Sequence, residues 1–379
     1  MENQNLPNDL LPQILHLLPV KSLVRFKSVC KHWCTLIQSP SFVSLHLRRS
    51  AAQNADCVLV KHSLNDNVNG AMTLSLVHCE TPTRELDTSF TGIDIRDLQL
   101  LGHCNGVVCL TRRALNSTIV MWNPSIREFR VLPTPSYKND HLSNLGFGFD
   151  PSTGGYKVVR FRFHKGFAVT EVDDTVEIYD SGTDSWRRVE LESSFGFGLN
   201  FGYYSCTSWD GDFYWCARNQ VGKVAIIVFR MADEVFNVIT LPEVCSLDNS
   251  DKRRLSVLND SLAVVIYPGL EPPQWIPNVF EKSFDVWVME EQGVEVSWVK
   301  KFTIGPLYGL EFALGFRLNG EFLLEHGCGQ LKSYCIDTQQ IKEYHVYGNR
   351  HVQMYGHRSP RCLEVLPCTE SLVSIRRQN

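Results

Sequence analysis

Two segments of different periodicity predict the fold class, α+β by segment: a small helical unit over residues 1–48 and an all-β domain over residues 49–379, read as a β-propeller. Apolar residues recur at helical spacing up to about residue 50, whereas beyond residue 55 they alternate with polar ones in short runs parted by turn residues. Within the second segment a strand–turn–strand unit returns at a period of roughly 50 residues, the spacing of kelch-like blades. A pair of β-sandwiches also has short, regularly spaced strands and stands as the alternative.

In the helical unit, Leu10, Leu11, Ile14, Leu15 and Leu18 fall on one broad stripe. Pro7 suits a first helical turn, and Asn8 and Asp9 favour the positive end of the helix dipole. Pro19 ends the helix because it has no amide donor and restricts the residue before it. A second helix is expected through Leu23, Phe26, Val29, Cys30 and Trp33, with Lys21, Arg25, Lys27 and Lys31 on its solvated side. Ser39-Pro40 then reads as N-cap and first-turn proline of one more helical turn burying Phe42 and Leu45. A unit of about 45 residues is near the size below which chains need outside help to be stable. Either the rest of the chain or a partner supplies that help.

The β segment shows five copies of its unit, marked by Trp122, Tyr179, Phe229, Trp287 and Tyr334. A strand precedes each copy, running from Gly106, Tyr156, Gly211, Ser261 and Gly320. Residues 57–80 supply a candidate sixth blade, and Arg361 to Pro367 with Ser371 to Ile375 are candidate strands that close the ring. Closure matters because a ring leaves only short, protected strand edges.

The residue string of the helical unit resembles the F-box, in Leu6-Pro7, Leu10-Leu11, Ile14-Leu15, Leu18 to Leu23, Arg25 to Lys27, Val29 to Lys31, Trp33 and Leu36-Ile37. The remainder is similar to the F-box-associated domain of plant F-box proteins. Leu101-Gly102-His103-Cys104-Asn105-Gly106, Trp122-Asn123-Pro124-Ser125, Gly146-Phe147-Gly148-Phe149-Asp150-Pro151 and the ending Glu370 to Ile375 carry that likeness. The double-glycine signature of true kelch repeats is absent apart from Gly154-Gly155. The resemblance implies docking to the Skp-family adaptor of a cullin–RING ubiquitin ligase through Leu6, Pro7, Leu10, Leu11, Ile14, Leu18, Pro19, Leu23, Phe26, Val29, Cys30 and Trp33. The β domain then holds a protein substrate, left open between pollen-type self-incompatibility ribonucleases, immune receptors and other proteins.

Composition excludes several other classes. A net charge of −4 argues against nucleic acid as partner, since phosphate binding needs clustered excess cations. No stretch approaches the roughly 18 apolar residues of a membrane span, and the N-terminus lacks a signal-peptide pattern. The chain is therefore expected in the cytosol or nucleus, its thirteen cysteines as free thiols. They form no C-x-x-C, and no metal or cofactor is expected.

No catalytic motif of the nucleophile-elbow, zincin or phosphate-loop kind is present, so no catalytic residue is assigned. Gly146-Phe147-Gly148 and Gly196-Phe197-Gly198 read as tight turns. A small-molecule-binding or enzymatic propeller carrying an F-box-like appendage is the alternative function. For the substrate, the proline-rich stretch Tyr267 to Pro277 is the candidate, with Trp275 and Ile276 as anchors, although a large aromatic there also suits packing against a blade.

Overall fold

The structure, a computed structural model, describes residues 10–53, 56–63, 72–79, 84–112, 118–135, 143–162, 175–190, 206–218, 223–246, 251–269, 281–292, 295–348 and 363–376. Its helical unit comprises α1 (Leu10–Leu15), α2 (Val20–Phe26), α3 (Lys31–Gln38) and α4 (Pro40–Gln53). The single helix expected from Leu23 to Trp33 is broken at residues 27–30. There the Ser28 hydroxyl donates to the Arg25 carbonyl at 2.7 Å, and Cys30 is extended as the N-cap of α3. Ser39 caps α4 as expected, its hydroxyl accepting from the Phe42 amide. That helix runs for 14 residues rather than one turn, and it buries Phe42 but leaves Leu45 exposed.

The β domain is a ring of six four-stranded blades among the described residues. Blade one takes β1 (Val58–Ser63), β2 (Met72–Val77) and β3 (Arg84–Leu86). Blade two is β4 (Leu98–Cys104), β5 (Val107–Arg112), β6 (Ile119–Asn123) and β7 (Glu128–Val131). Blade three is β8 (Ser143–Asp150), β9 (Gly155–Arg162), β10 (Thr175–Asp180) and β11 (Ser185–Glu190). Blade four is β12 (Cys206–Trp209), β13 (Asp212–Arg218), β14 (Val224–Arg230) and β15 (Val235–Thr240). The short helix α5 (Glu243–Ser246) leads to blade five, which is β16 (Lys252–Leu258), β17 (Ser261–Tyr267), β18 (Glu281–Gln292) and β19 (Glu295–Tyr308). Blade six is β20 (Leu310–Phe316), β21 (Phe322–His326), β22 (Gln330–Tyr334) and β23 (Ile341–Tyr347).

The ring closes where β24 (Glu364–Pro367) pairs antiparallel with β1, Val58 opposite Pro367 and Lys61 opposite Glu364. Blade one thus joins three strands from near the start of the chain to one from its end. The first strands β4, β8, β12, β16 and β20, with β24, lie side by side around the axis. Ser371 to Ile375, a candidate closing strand in the sequence, is not in a ladder. Side chains of blade two take its backbone groups instead, as described below.

Packing explains the sequence pattern strand by strand. Each of six apolar clusters fills the gap between two neighbouring blades: Tyr179 points into the gap between blades two and three, while its neighbour Ile178 points into that between three and four. A middle strand is therefore buried on both faces, which is why β14 reads Val-Ala-Ile-Ile-Val-Phe without polar interruption. Outer strands such as β7 alternate, because one face meets solvent.

Gly146 and Gly148, expected in a tight turn, lie inside β8. A Cβ on Gly146 would come within 2.5 Å of the Trp215 ring and one on Gly148 within 2.4 Å of the Gly211 carbonyl, so glycine lets blade four close against blade three. Gly196-Phe197-Gly198 lies outside the described residues.

Polar contacts tie the same gaps. Trp186 donates its indole N–H to the Pro133 carbonyl at 2.7 Å, and Trp298 donates to that of Thr240 at 3.1 Å, each an outer-strand indole gripping the chain that leaves the preceding blade. Between blades three and four, Lys157 Nζ meets Asp150 at 2.7 Å, Glu234 at 2.8 Å and the Met231 carbonyl at 2.7 Å. Burial disfavours the Asp150 charge, yet that ammonium and hydrogen bonds from Ser152 and Thr153 hold its carboxyl well below the usual carboxylate range.

Candidate adaptor-docking face and its mount on the propeller

Helices α1 to α4 enclose a core of Leu11, Leu15, Val20, Leu23, Ile37 and Phe42. Two of the residues expected on the docking face, Leu11 and Leu23, therefore hold the helices together, and Leu23 is 0% exposed. Helical spacing placed both on the apolar stripe, but it cannot tell the half of a stripe that faces inward from the half that faces out. The structure leaves Leu10 and Ile14 each 44% exposed, Leu17 54% and Val29 59%. Leu10, Ile14 and Leu17 repeat at i, i+4 and i+7, along one face of α1 and the turn that follows it. Leu17 is not among the residues expected on the face, although the same spacing contains it.

Pro19 and Cys30 are exposed, while Leu18, Phe26 and Trp33 are half-buried, with the Phe26 and Trp33 rings edge to face at 5.4 Å. Leu6 and Pro7 lie outside the described residues. Described residues 10–53 contain six lysines and arginines and no acid, so the helices present apolar side chains in a purely cationic surround. His46 ties α4 to the connection between α1 and α2 by donating from Nε2 to the Leu18 carbonyl at 2.8 Å. Burial pushes its imidazole below the usual histidine range.

The helical core is completed by the propeller. Leu372, from the chain that follows β24, is buried within it, and Ile126, from the turn joining β6 to β7, packs against it. Around Leu372 the backbone is held by side chains of blade two. The Asn123 amide donates to the Ser371 carbonyl at 3.2 Å, the Ser371 hydroxyl at 3.0 Å and the Val373 carbonyl at 2.8 Å. Ser125 Oγ accepts from the Ser371 amide, and Glu128 accepts from the Ser374 hydroxyl at 2.7 Å and from the Ile375 amide. His103 Nε2 accepts the Thr369 amide at 3.2 Å, and its burial pushes the imidazole down to about 4. Gly106 is glycine because a Cβ would stand 2.1 Å from the Ser371 hydroxyl. Residues 101–106, 122–125 and 370–375, far apart in sequence, thus meet at one place beneath the helices.

The opposite side of the ring is built differently. Within each blade the strands alternate in direction, so the first-to-second and third-to-fourth turns open on the side that carries Ile126 and the helices. Those turns are two to six residues long. Several are held by left-handed residues, such as Asn105-Gly106, Asp210-Gly211, Arg127, Asp184 and Glu234. Connections leaving from the other side reach twelve residues at 163–174, thirteen at 268–280, fifteen at 191–205 and sixteen at 348–363. Trp275 and Ile276 belong to the 268–280 segment and lie outside the described residues. Among the described residues no three His, Cys, Asp or Glu side chains group as metal ligands. No described helix is long and apolar enough to cross a membrane.

Comparison with known proteins agrees with both halves. Residues 4–45 match the F-box domain, and residues 64–375 match the F-box-associated β-propeller domain. The chain is similar to F-box protein At2g07140 of Arabidopsis thaliana, 25% identical over 337 residues that cover 82% of this chain and 80% of that one. It is also similar to two more Arabidopsis thaliana proteins. F-box/kelch-repeat protein At3g44120 is 25% identical over 336 residues, covering 82% and 80%, and F-box protein CPR1 is 26% identical over 320 residues, covering 79% and 73%. This pair of domains implies a substrate-recognition role in Skp–cullin–F-box ligases, with a Skp-family adaptor as partner of the helices. The chain belongs to the F-box proteins that carry an F-box-associated β-propeller.

Proposed function

We infer that the protein is the non-catalytic target receptor of its ligase, binding the adaptor through Leu10, Ile14, Leu17, Pro19, Val29, Cys30 and Trp33 and a target protein through the far side of the ring. The carrying observation is the asymmetry of the connections: two to six residues on the F-box side, up to sixteen on the other. Tight turns give a firm seat to the helices. Long connections on a rigid ring supply variable side chains for recognition. Residues 191–205 carry Phe195, Phe197, Phe201, Tyr203 and Tyr204, and residues 268–280 carry Trp275 beside Ile276, the aromatic ones being of the types enriched at interfaces. Transfer then needs no catalytic group here, because tethering raises the local concentration of acceptor lysines near the conjugating enzyme. A ribonuclease of the self-incompatibility type is one narrower form of the target, and the cytosol or nucleus is the compartment where such a receptor works.

The test is target capture by the full-length receptor bound to its adaptor. Replacing 191–205 or 268–280 with short glycine–serine links, or Trp275→Ala alone, should abolish or weaken capture while adaptor affinity and ring melting stay unchanged. Capture that survives every change on that side, yet is lost on altering the turns of the F-box side, would refute the assignment of faces. A lower melting temperature with normal capture in Trp275→Ala would assign that indole to packing.

A further inference from the structure

After closing blade one, the last described segment of the chain does not leave the ring. Cys368 fills the gap between blades one and two, and Val373 and Ile375 fill the gap between blades two and three, so the segment crosses blade two on its F-box side. Leu372 alone turns the other way, into the F-box core. Backbone groups along this crossing that would otherwise need a strand partner are met by side chains: Thr369 N–H by His103, Ser371 N–H by Ser125, the Ser371 and Val373 carbonyls by Asn123, and Ile375 N–H by Glu128. Asn123 and Ser371 are both 0% exposed, so this is a built seat rather than a surface contact.

Covalently, the F-box is joined to the ring only through the few residues between Gln53, the end of α4, and Val58, the start of β1. A single short link acts as a hinge, because it fixes a position and leaves rotation open. A second attachment far along the chain removes that freedom. Burial of the Leu372 side chain in the F-box core favours the orientation in which that leucine stays covered.

We propose that residues 368–376 are a positioning strap, in which Asn123 seats the segment on blade two and Leu372 pins the F-box, so that the angle between docking face and target-binding face is fixed. The functional consequence rests on the receptor reading above: a fixed angle restricts which lysines reach the conjugating enzyme. The strap itself does not depend on any target.

Two measurements separate these levels, both on the full-length chain bound to a Skp-family adaptor. For the first, the adaptor-bound complex, in which the adaptor covers Cys30, carries spin labels at Ser44→Cys on α4 and at Cys328 on blade six, both exposed, with Cys34 changed to serine. The label-to-label distance distribution should be single and narrow in the parent, and at least twice as wide in Leu372→Ser, with the ring's melting and adaptor binding retained. Asn123→Ala should widen it too, and Asn123→Asp, which loses the donors but keeps the shape, should behave like Asn123→Ala. A distribution equally narrow in folded Leu372→Ser overturns the strap. For the second, self-ubiquitination in a reconstituted ligase is mapped by mass spectrometry. Leu372→Ser should spread modification over more propeller lysines than the few used by the parent. An unchanged map with a widened distribution would keep the strap and refute the receptor reading's geometric consequence.

Discussion

Asn123 and Ser371 stand 248 positions apart in sequence, yet the amide of the first donates to both the carbonyl and the hydroxyl of the second, at 3.2 and 3.0 Å. Through this pair the Trp122-Asn123-Pro124-Ser125 motif acquires a physical reason. Trp122 fills the gap between blades one and two, Asn123 holds the returning chain, and Ser125 both accepts the Ser371 amide and donates its own amide to Asn123 Oδ1, which orients the side chain that does the holding.

The division of the helical stripe into an inner and an outer half makes opposite demands on neighbouring leucines. Ile14→Asp or Leu17→Asp should weaken adaptor binding at least tenfold, about 1.4 kcal/mol, with no loss of helix. Leu23→Asp puts an unpaired charge in the core and should cost about 3–5 kcal/mol, melting the F-box before any docking is measured. Titration calorimetry with the adaptor, alongside circular dichroism, reads both; full adaptor affinity in Leu17→Asp would remove that residue from the face.

Lys157 neutralises two carboxylates between blades three and four, so Lys157→Met leaves Asp150 buried without its counter-charge. A loss of about 3–5 kcal/mol in urea unfolding is expected. Adding Asp150→Leu removes the stranded charge and should recover much of that loss. Recovery in the double variant no greater than in Lys157→Met alone would mean the pair is not coupled.

Acid should loosen the strap through His103. Its folded-state pKa of about 4 lies below the 6.5 of the unfolded chain, so between those values the unfolded state binds more protons. Stability is thus fully present above pH 6.5 and is lost as pH falls towards 4, when the protonated ring can no longer accept the Thr369 amide. His103→Gln keeps a neutral acceptor, and its melting temperature should fall less steeply across that window; parallel curves for the two proteins would rule out the coupling.

Removal of residues 1–53 uncovers Leu372 and Ile126 together. The isolated propeller should self-associate in sedimentation, and Leu372→Ser in the same truncation should return it to a monomer. A monomeric truncation without that change would show that the F-box does not cover this side in solution.

Much of the fold was legible because blades impose a long period and strong alternation. The five markers from Trp122 to Tyr334 all fall on third strands, and the strands placed before them are the second strands. First strands such as β8 escaped that pattern, since Gly146 and Gly148 serve a close approach by Trp215 and Gly211 and look like a turn when read locally. The apolar stripe of the F-box was legible as residue types, but not which half of it stays exposed, for Leu11 and Leu23 share helical spacing with Leu10 and Ile14 and differ only in what packs behind them. The part of the core supplied by Leu372 depends on a contact between opposite ends of the chain, about which no local window carries information.

Closure by β24 also orders events during synthesis. The F-box emerges from the ribosome before the propeller, and domains tend to fold as they emerge, so its helices are available to an adaptor while the ring is still open. The strand that completes blade one and the leucine that seats the helices both follow every other blade strand, from Glu364 onward. A message cut short before Glu364 would therefore yield a chain that still occupies adaptor but cannot finish its receptor, and such a product would compete with the intact one rather than merely be missing.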